Sequence, residues 1–152
     1  VTRIAAHGLS LAPPAGWDAI IYRRRPALPG EETLPVVHGA TVPLPPDRGD
    51  YGSGVVEMLG PHDGFVSRLE FGAGAAGSPL FRASGVPGLT PDMFAPTQLQ
   101  RVLRGQAGVQ RFFTHAGRAF CLYAVIGSFP NRVPLCFRVN QVISSLHIDG
   151  PA

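Results

Sequence analysis

Two neighbouring stretches decide the fold: G-V-Q-R-F-F-T-H (residues 108–115) and R-A-F-C-L-Y-A-V-I-G (118–127). Both are rich in β-branched and aromatic residues, and only Ala116-Gly117 separates them, so they read as a β-hairpin. From Ala119 to Ile126 the run is apolar at every position, so it is apolar on both faces. A strand of that composition is covered on both faces and belongs inside a sheet. Downstream of Pro130 and Pro134, Leu135, Val139, Val142 and Leu146 recur at helical spacing, with Cys136 and Ile143 beside them. Arg138, Asn140, Gln141, Ser144 and Ser145 fill the rest of the circumference. This is an amphipathic helix, and Pro134 suits its first turn, where a missing N–H costs nothing.

Working outward, Phe65, Ser67, Leu69 and Phe71 alternate with Val66, Arg68 and Glu70, the pattern of a half-buried strand. Strands are also expected at 9–11, at 18–23 (D-A-I-I-Y-R) and at 36–42, with one or two helical turns at 54–59. Leu99, Val102 and Leu103 have helical spacing, and Gly105 could cap a short helix there. Residues 26–35, 43–54 and 78–98 carry the prolines and read as loops. Runs of strands closed by one helix give an α+β class: an antiparallel β-sheet with an amphipathic C-terminal helix packed on one face. With 152 residues, no repeat and no long linker, residues 1–152 form a single domain.

Composition narrows the function classes. All 13 basic residues are Arg, and 19 Gly and 16 Pro accompany them, the signature of a G+C-rich genome, in which Val1 is expected to be a GTG start written as valine. The net charge of +3 has one run, Arg23-Arg24-Arg25, read as a solvated strand end; no nucleic-acid partner is expected without a basic face. No apolar run is long enough for a membrane span. Ile4-Ala5-Ala6 is too short for a signal peptide, so Cys121 and Cys136 are expected as reduced, buried thiols in a cytoplasmic protein.

The chemical motifs weaken on inspection. Gly72-x-Gly74-x-x-Gly77 follows a strand and precedes Asp92 by a suitable distance, but Gly85 and Pro87 leave no room for the helix that would meet a pyrophosphate. The five histidines (7, 38, 62, 115, 147) share no metal-ligand spacing. Cys121 with His115 as base is disfavoured, because a mid-strand thiol among Phe120, Leu122 and Tyr123 stays neutral. Glu57, Asp63 and Glu70 have no fixed separation that would pair them for acid/base work. Arg48-Gly49-Asp50 reads as turn chemistry, and Trp17 as a structural anchor after a Pro-Pro-x-Gly turn. No catalytic residue, metal or cofactor is assigned.

The opening L-S-L-A-P-P-A-G-W (9–17), the strand at 120–128 and the closing V-N-Q-V-I-S-S-L-H-I (139–148) resemble Mog1/PsbP-like domains, and the chain also looks like small actinobacterial proteins. The matched segments cover roughly the first 25 and last 45 residues. That resemblance implies a non-catalytic accessory or protein-interaction domain, possible as a subunit of a larger assembly, and supplies no catalytic residue. The alternative is a small-molecule or lipid-binding domain with a cavity between sheet and helix; a small enzyme ranks below both. The expected contact surface, for a protein partner or another copy, is the loop-rich middle with Tyr51, Phe81, Arg82, Met93 and Phe94, large side chains that no regular element obviously buries.

Overall fold

The computed structural model describes residues 2–24, 27–30 and 33–149; Val1 and Arg25, on which two of the sequence expectations fall, lie outside them. Among the described residues the chain forms two antiparallel sheets, one α-helix and five short 3-10 turns. Strands β1 (Ile4–Ala6), β2 (Leu9–Leu11) and β8 (His147–Ile148) form a small sheet in the order β1-β2-β8. Strands β3 (Asp18–Arg23), β4 (Pro35–Ala40), β5 (Gly64–Gly72), β6 (Ala107–His115) and β7 (Arg118–Ile126) form the main sheet in the order β3-β4-β5-β7-β6. The helix α1 (Arg132–Ile143) packs on one face of that sheet. The α+β expectation, with its closing helix, describes this architecture.

Local chemistry explains the elements. Ala116 and Gly117 take φ of 51° and 73°, the paired positive values of the tight turn that matches strand twist, and His7-Gly8 repeat this at 54° and 76°. The second turn closes the β1–β2 hairpin, an element whose first strand was not foreseen. Strand β7 is buried at all nine positions, as its unbroken apolar run requires. On the helix side, Trp17 lies where two strand glycines make room for it. A Cβ on Gly39 would stand 3.7 Å from the indole and 3.6 Å from Val142, and one on Gly64 3.6 Å from the indole and 3.4 Å from Val139. Trp17 is thus the anchor expected, wedged between α1 and the sheet.

Two expectations are corrected. Residues 99–105 are not helical; a 3-10 turn at Pro96–Gln98 leads into bends and a turn, with Val102 exposed. The Gln100 N–H donates to the Tyr123 hydroxyl (2.8 Å), a tertiary bond taken in place of a helical one. Strand β5 is buried on both faces, not one: Arg68 is 1% exposed and Glu70 6%. The Arg118 Nε donates to Glu70 Oε2 (2.9 Å) and its Nη2 to Oε1, a bidentate pair across β5 and β7.

Arg68 has no such partner. Its Nε and Nη2 meet no hydrogen-bond acceptor, and its guanidinium lies 4.1 Å from the Phe120 ring centroid and 5.5 Å from that of Phe113. Burial, reinforced by the nearby Arg118 charge and only partly offset by Glu70, pushes its pKa down to about 10. A desolvated cation–π contact supplies about 2 kcal/mol, whereas burying a charge costs several. Arg68→Met, which keeps an unbranched, polarizable side chain beside the rings and removes the charge, is therefore expected to stabilise the fold by about 1–3 kcal/mol. Urea unfolding of the two proteins checks this; a lower midpoint for the variant would show that the ring contacts outweigh desolvation.

Candidate functional site

The face of the main sheet away from α1 carries Val36, His38, Ala40, Phe65, Ser67, Leu69, Cys121, Tyr123 and Val125, following from strand alternation. No helix covers it. Loop residues do: Val55, Leu59 and Tyr51 from one segment and Leu99 from another.

A polar staple holds the first segment down. The Arg48 Nε–H donates to His38 Nδ1 (2.9 Å), so the ring proton sits on Nε2 and donates to the Asp50 carbonyl (2.9 Å). The same carbonyl accepts from Ser67 Oγ (2.6 Å), and the Asp50 carboxylate accepts from the Tyr22 hydroxyl (2.8 Å) and pairs with Arg24 (3.3 Å). Arg48-Gly49-Asp50 thus turns both charges inward, onto the sheet. Burial holds His38 down at about 4 and pushes Tyr22 up, so both stay neutral and fully engaged near pH 7. The constellation fastens a loop; it leaves no ring nitrogen free to move a proton.

Beyond the staple runs a row of aromatic rings. Phe71, Phe81 and Phe112 stand at successive centroid spacings of 5.4 and 5.6 Å. A β-bulge between Glu70 and Gly72 turns Phe71 out of the ladder, leaving it 43% exposed. The 3-10 turn Pro79–Phe81 is tied to β6 by Thr114, whose Oγ1 donates to the Phe81 carbonyl (2.6 Å) and whose N–H donates to Ala83 (2.7 Å). That tie seats Phe81 inward and presents Leu80, 59% exposed, with Arg82 beside it. Among the described residues no carboxylate pairs with Arg82.

Of the five residues expected on a contact surface, the structure gathers three. Tyr51, Phe81 and Arg82 lie along this row, Tyr51 packing with Phe112 around Leu69 and Cys121. Met93 and Phe94 are on the opposite face, in the core beneath α1. Phe81 and Phe94 are 6% and 2% exposed, so the chain's own sheet buries both. Phe71 and Leu80 are the exposed members, which sequence reading missed; the bulge that frees Phe71 has no signal beyond Gly72.

The other candidates resolve as follows. Cys121 and Cys136 are free and buried, and burial pushes both thiols up. Cys121 and His115 occupy opposite faces, since Phe112 is the residue that pairs with Cys121. Between Gly77 and β6 the described residues form only 3-10 turns, with no α-helix directly after the glycines to meet a phosphate. Among the described residues no three His, Cys, Asp or Glu side chains converge to hold a metal, and no helix is long and apolar enough to cross a membrane.

No family model, curated protein or solved structure matches the chain. Its functional reading rests on its own geometry.

Proposed function

We propose that the chain is a non-catalytic accessory domain of Mog1/PsbP-like type that binds a protein partner through the Phe71–Leu80–Arg82 ridge. The observation that supports this reading is the exposure of Phe71 and Leu80 together at one end of the main sheet. Phe and Arg are enriched where proteins meet, and Arg82 beside two apolar side chains asks for a carboxylate next to an apolar pocket. A second copy of this ridge would bring Arg82 against a like charge, so the occupant is a different, acidic-rimmed surface.

Phe71→Ser combined with Leu80→Ser tests the reading, because both residues are exposed and their loss is expected to leave the core in place. Each buried apolar side chain contributes about 1.5–3 kcal/mol, so the pair is worth at least tenfold in affinity. A partner retained by the wild-type protein is expected to be released by the double variant and by Arg82→Glu, at unchanged melting temperature. Equal retention by all three proteins would refute the assignment.

A further inference from the structure

Strand β3 ends the main sheet, and among the described residues no backbone hydrogen bond reaches Asp18–Arg23 except from β4. In an antiparallel pair every second residue turns its N–H and C=O away from its neighbour, so β3 presents a row of unspent donors and acceptors. The devices that ordinarily blunt such an edge are missing. The strand runs in unbroken register with β4, with no proline, no bulge and no charge from Ala19 to Tyr22. Ile20, in its middle, is 39% exposed. An apolar groove of about 260 Å³ separates this edge from β1, between Ile4, Ala5 and Ala6 on one side and Ala19, Ile20 and Ile21 on the other. One side-chain bond, from Arg23 Nε to His7 Nδ1 (3.2 Å), spans the groove and leaves the backbone edge open.

The order of residues along β3 selects what can pair with it. A second copy laid antiparallel, about a twofold axis normal to the sheet, keeps like faces together, so opposed residues share the same parity. The register centred on Ile21 sets Asp18 opposite Arg24, Ile20 opposite Tyr22 and Ile21 opposite itself. Acid then meets base on both sides of the axis, with β-branched against aromatic between them, the favourable cross-strand combinations. Centring on Ile20 instead wastes Asp18 on Tyr22, and centring on Tyr22 sets Ile20 against Arg24. Both charges are available. Asp18 Oδ2 accepts from the Leu44 N–H (2.8 Å), and among the described residues no cation pairs with that carboxylate. The Arg24 side chain is 56% exposed and touches Asp50 only through Nε, at 3.3 Å.

We infer that β3 pairs with β3 of a second copy in this register, joining two five-stranded sheets into one and bringing the two apolar grooves against each other. Such an isologous contact closes after two copies. It shares no residue with the Phe71–Leu80–Arg82 ridge and does not depend on that ridge being a docking surface.

Sedimentation equilibrium of the full chain is expected to show reversible association from 16.1 kDa to twice that mass. Hydrogen exchange is expected to slow, as concentration rises, at the β3 amides that point away from β4. Asp18→Arg and Arg24→Asp, made in separate proteins, each set like charges opposite one another across the axis. Each variant is expected to dimerise more weakly than the wild type by roughly tenfold or more. Mixed in equal amounts, the two are expected to regain the wild-type affinity. The introduced arginine then faces the introduced aspartate, and the native Arg24 the native Asp18, so recovery also shows that both variants fold. A wild-type chain that stays at 16.1 kDa up to about 1 mM would overturn the inference and leave the edge to an unlike strand. So would folded variants that dimerise like the wild type, or a mixture no tighter than its parts. Dimers whose β3 amides exchange as fast as the monomer's would put the contact elsewhere and refute it equally.

Discussion

Glu70→Ala is expected to destabilise the protein by about 3–5 kcal/mol. Its carboxylate is 6% exposed and takes both arms of Arg118, while its charge also offsets that of Arg68. Removing it leaves two neighbouring guanidiniums on a buried strand face with no anion between them. The combination Glu70→Ala with Arg68→Met is expected to recover a good part of the loss, because one of the two cations is then gone. Urea unfolding of the two single variants and the double variant forms the cycle that measures this coupling. If Glu70→Ala costs less than 1 kcal/mol, the buried charges are solvated by water and the account of this face is wrong.

The second large effect is acid lability centred on His38. Its pKa lies at about 4 in the fold, against about 6.5 in an unfolded chain. A depressed pKa contributes stability that is fully present above pH 6.5 and lost as pH falls toward 4, since the unfolded chain takes up the proton first. The separation amounts to about 3 kcal/mol. Protonating Nδ1 also sets a ring proton against the Arg48 N–H, and a second charge beside the first, so the loop at 43–54 is the segment expected to release. His38→Gln isolates the contribution from ordinary carboxylate titration. Between pH 7 and 4 the wild-type protein is expected to lose about 3 kcal/mol more than this variant; parallel losses would show that His38 is not buried neutral.

The elements that organise the fold were legible because their signals are local. The 108–127 hairpin announces itself through two strand-forming runs and a two-residue turn, and α1 through its apolar repeat. What failed depended on neighbours. Arg68 and Glu70 alternate as solvent-facing residues do, and nothing in their order shows that Phe113, Phe120 and Arg118 from a distant hairpin will enclose them. Leu99, Val102 and Leu103 have helical spacing, but Tyr123 captures the Gln100 N–H. Phe81 and Phe94 looked exposed because no regular element contains them; Thr114 and Gly108 draw their segments onto β6. That β3 ends the main sheet was beyond reach altogether, since strand order is a property of three-dimensional pairing.

The irregular segment from Ala83 to Ala95 runs along the margin of the main sheet. Strand β6 ends the main sheet, yet Ala95 exchanges both backbone bonds with Gly108 at 3.0 Å, and Ala83 and Gly85 bond Thr114 at 2.7 and 2.8 Å. Those short irregular pieces occupy the amides that a foreign strand would otherwise recruit. The proline-rich passage thereby acts as a guard against self-templating: it has too little regularity to extend the sheet by a further strand, and its bonds at Gly108 and Thr114 keep a foreign strand from pairing along the full length of that margin.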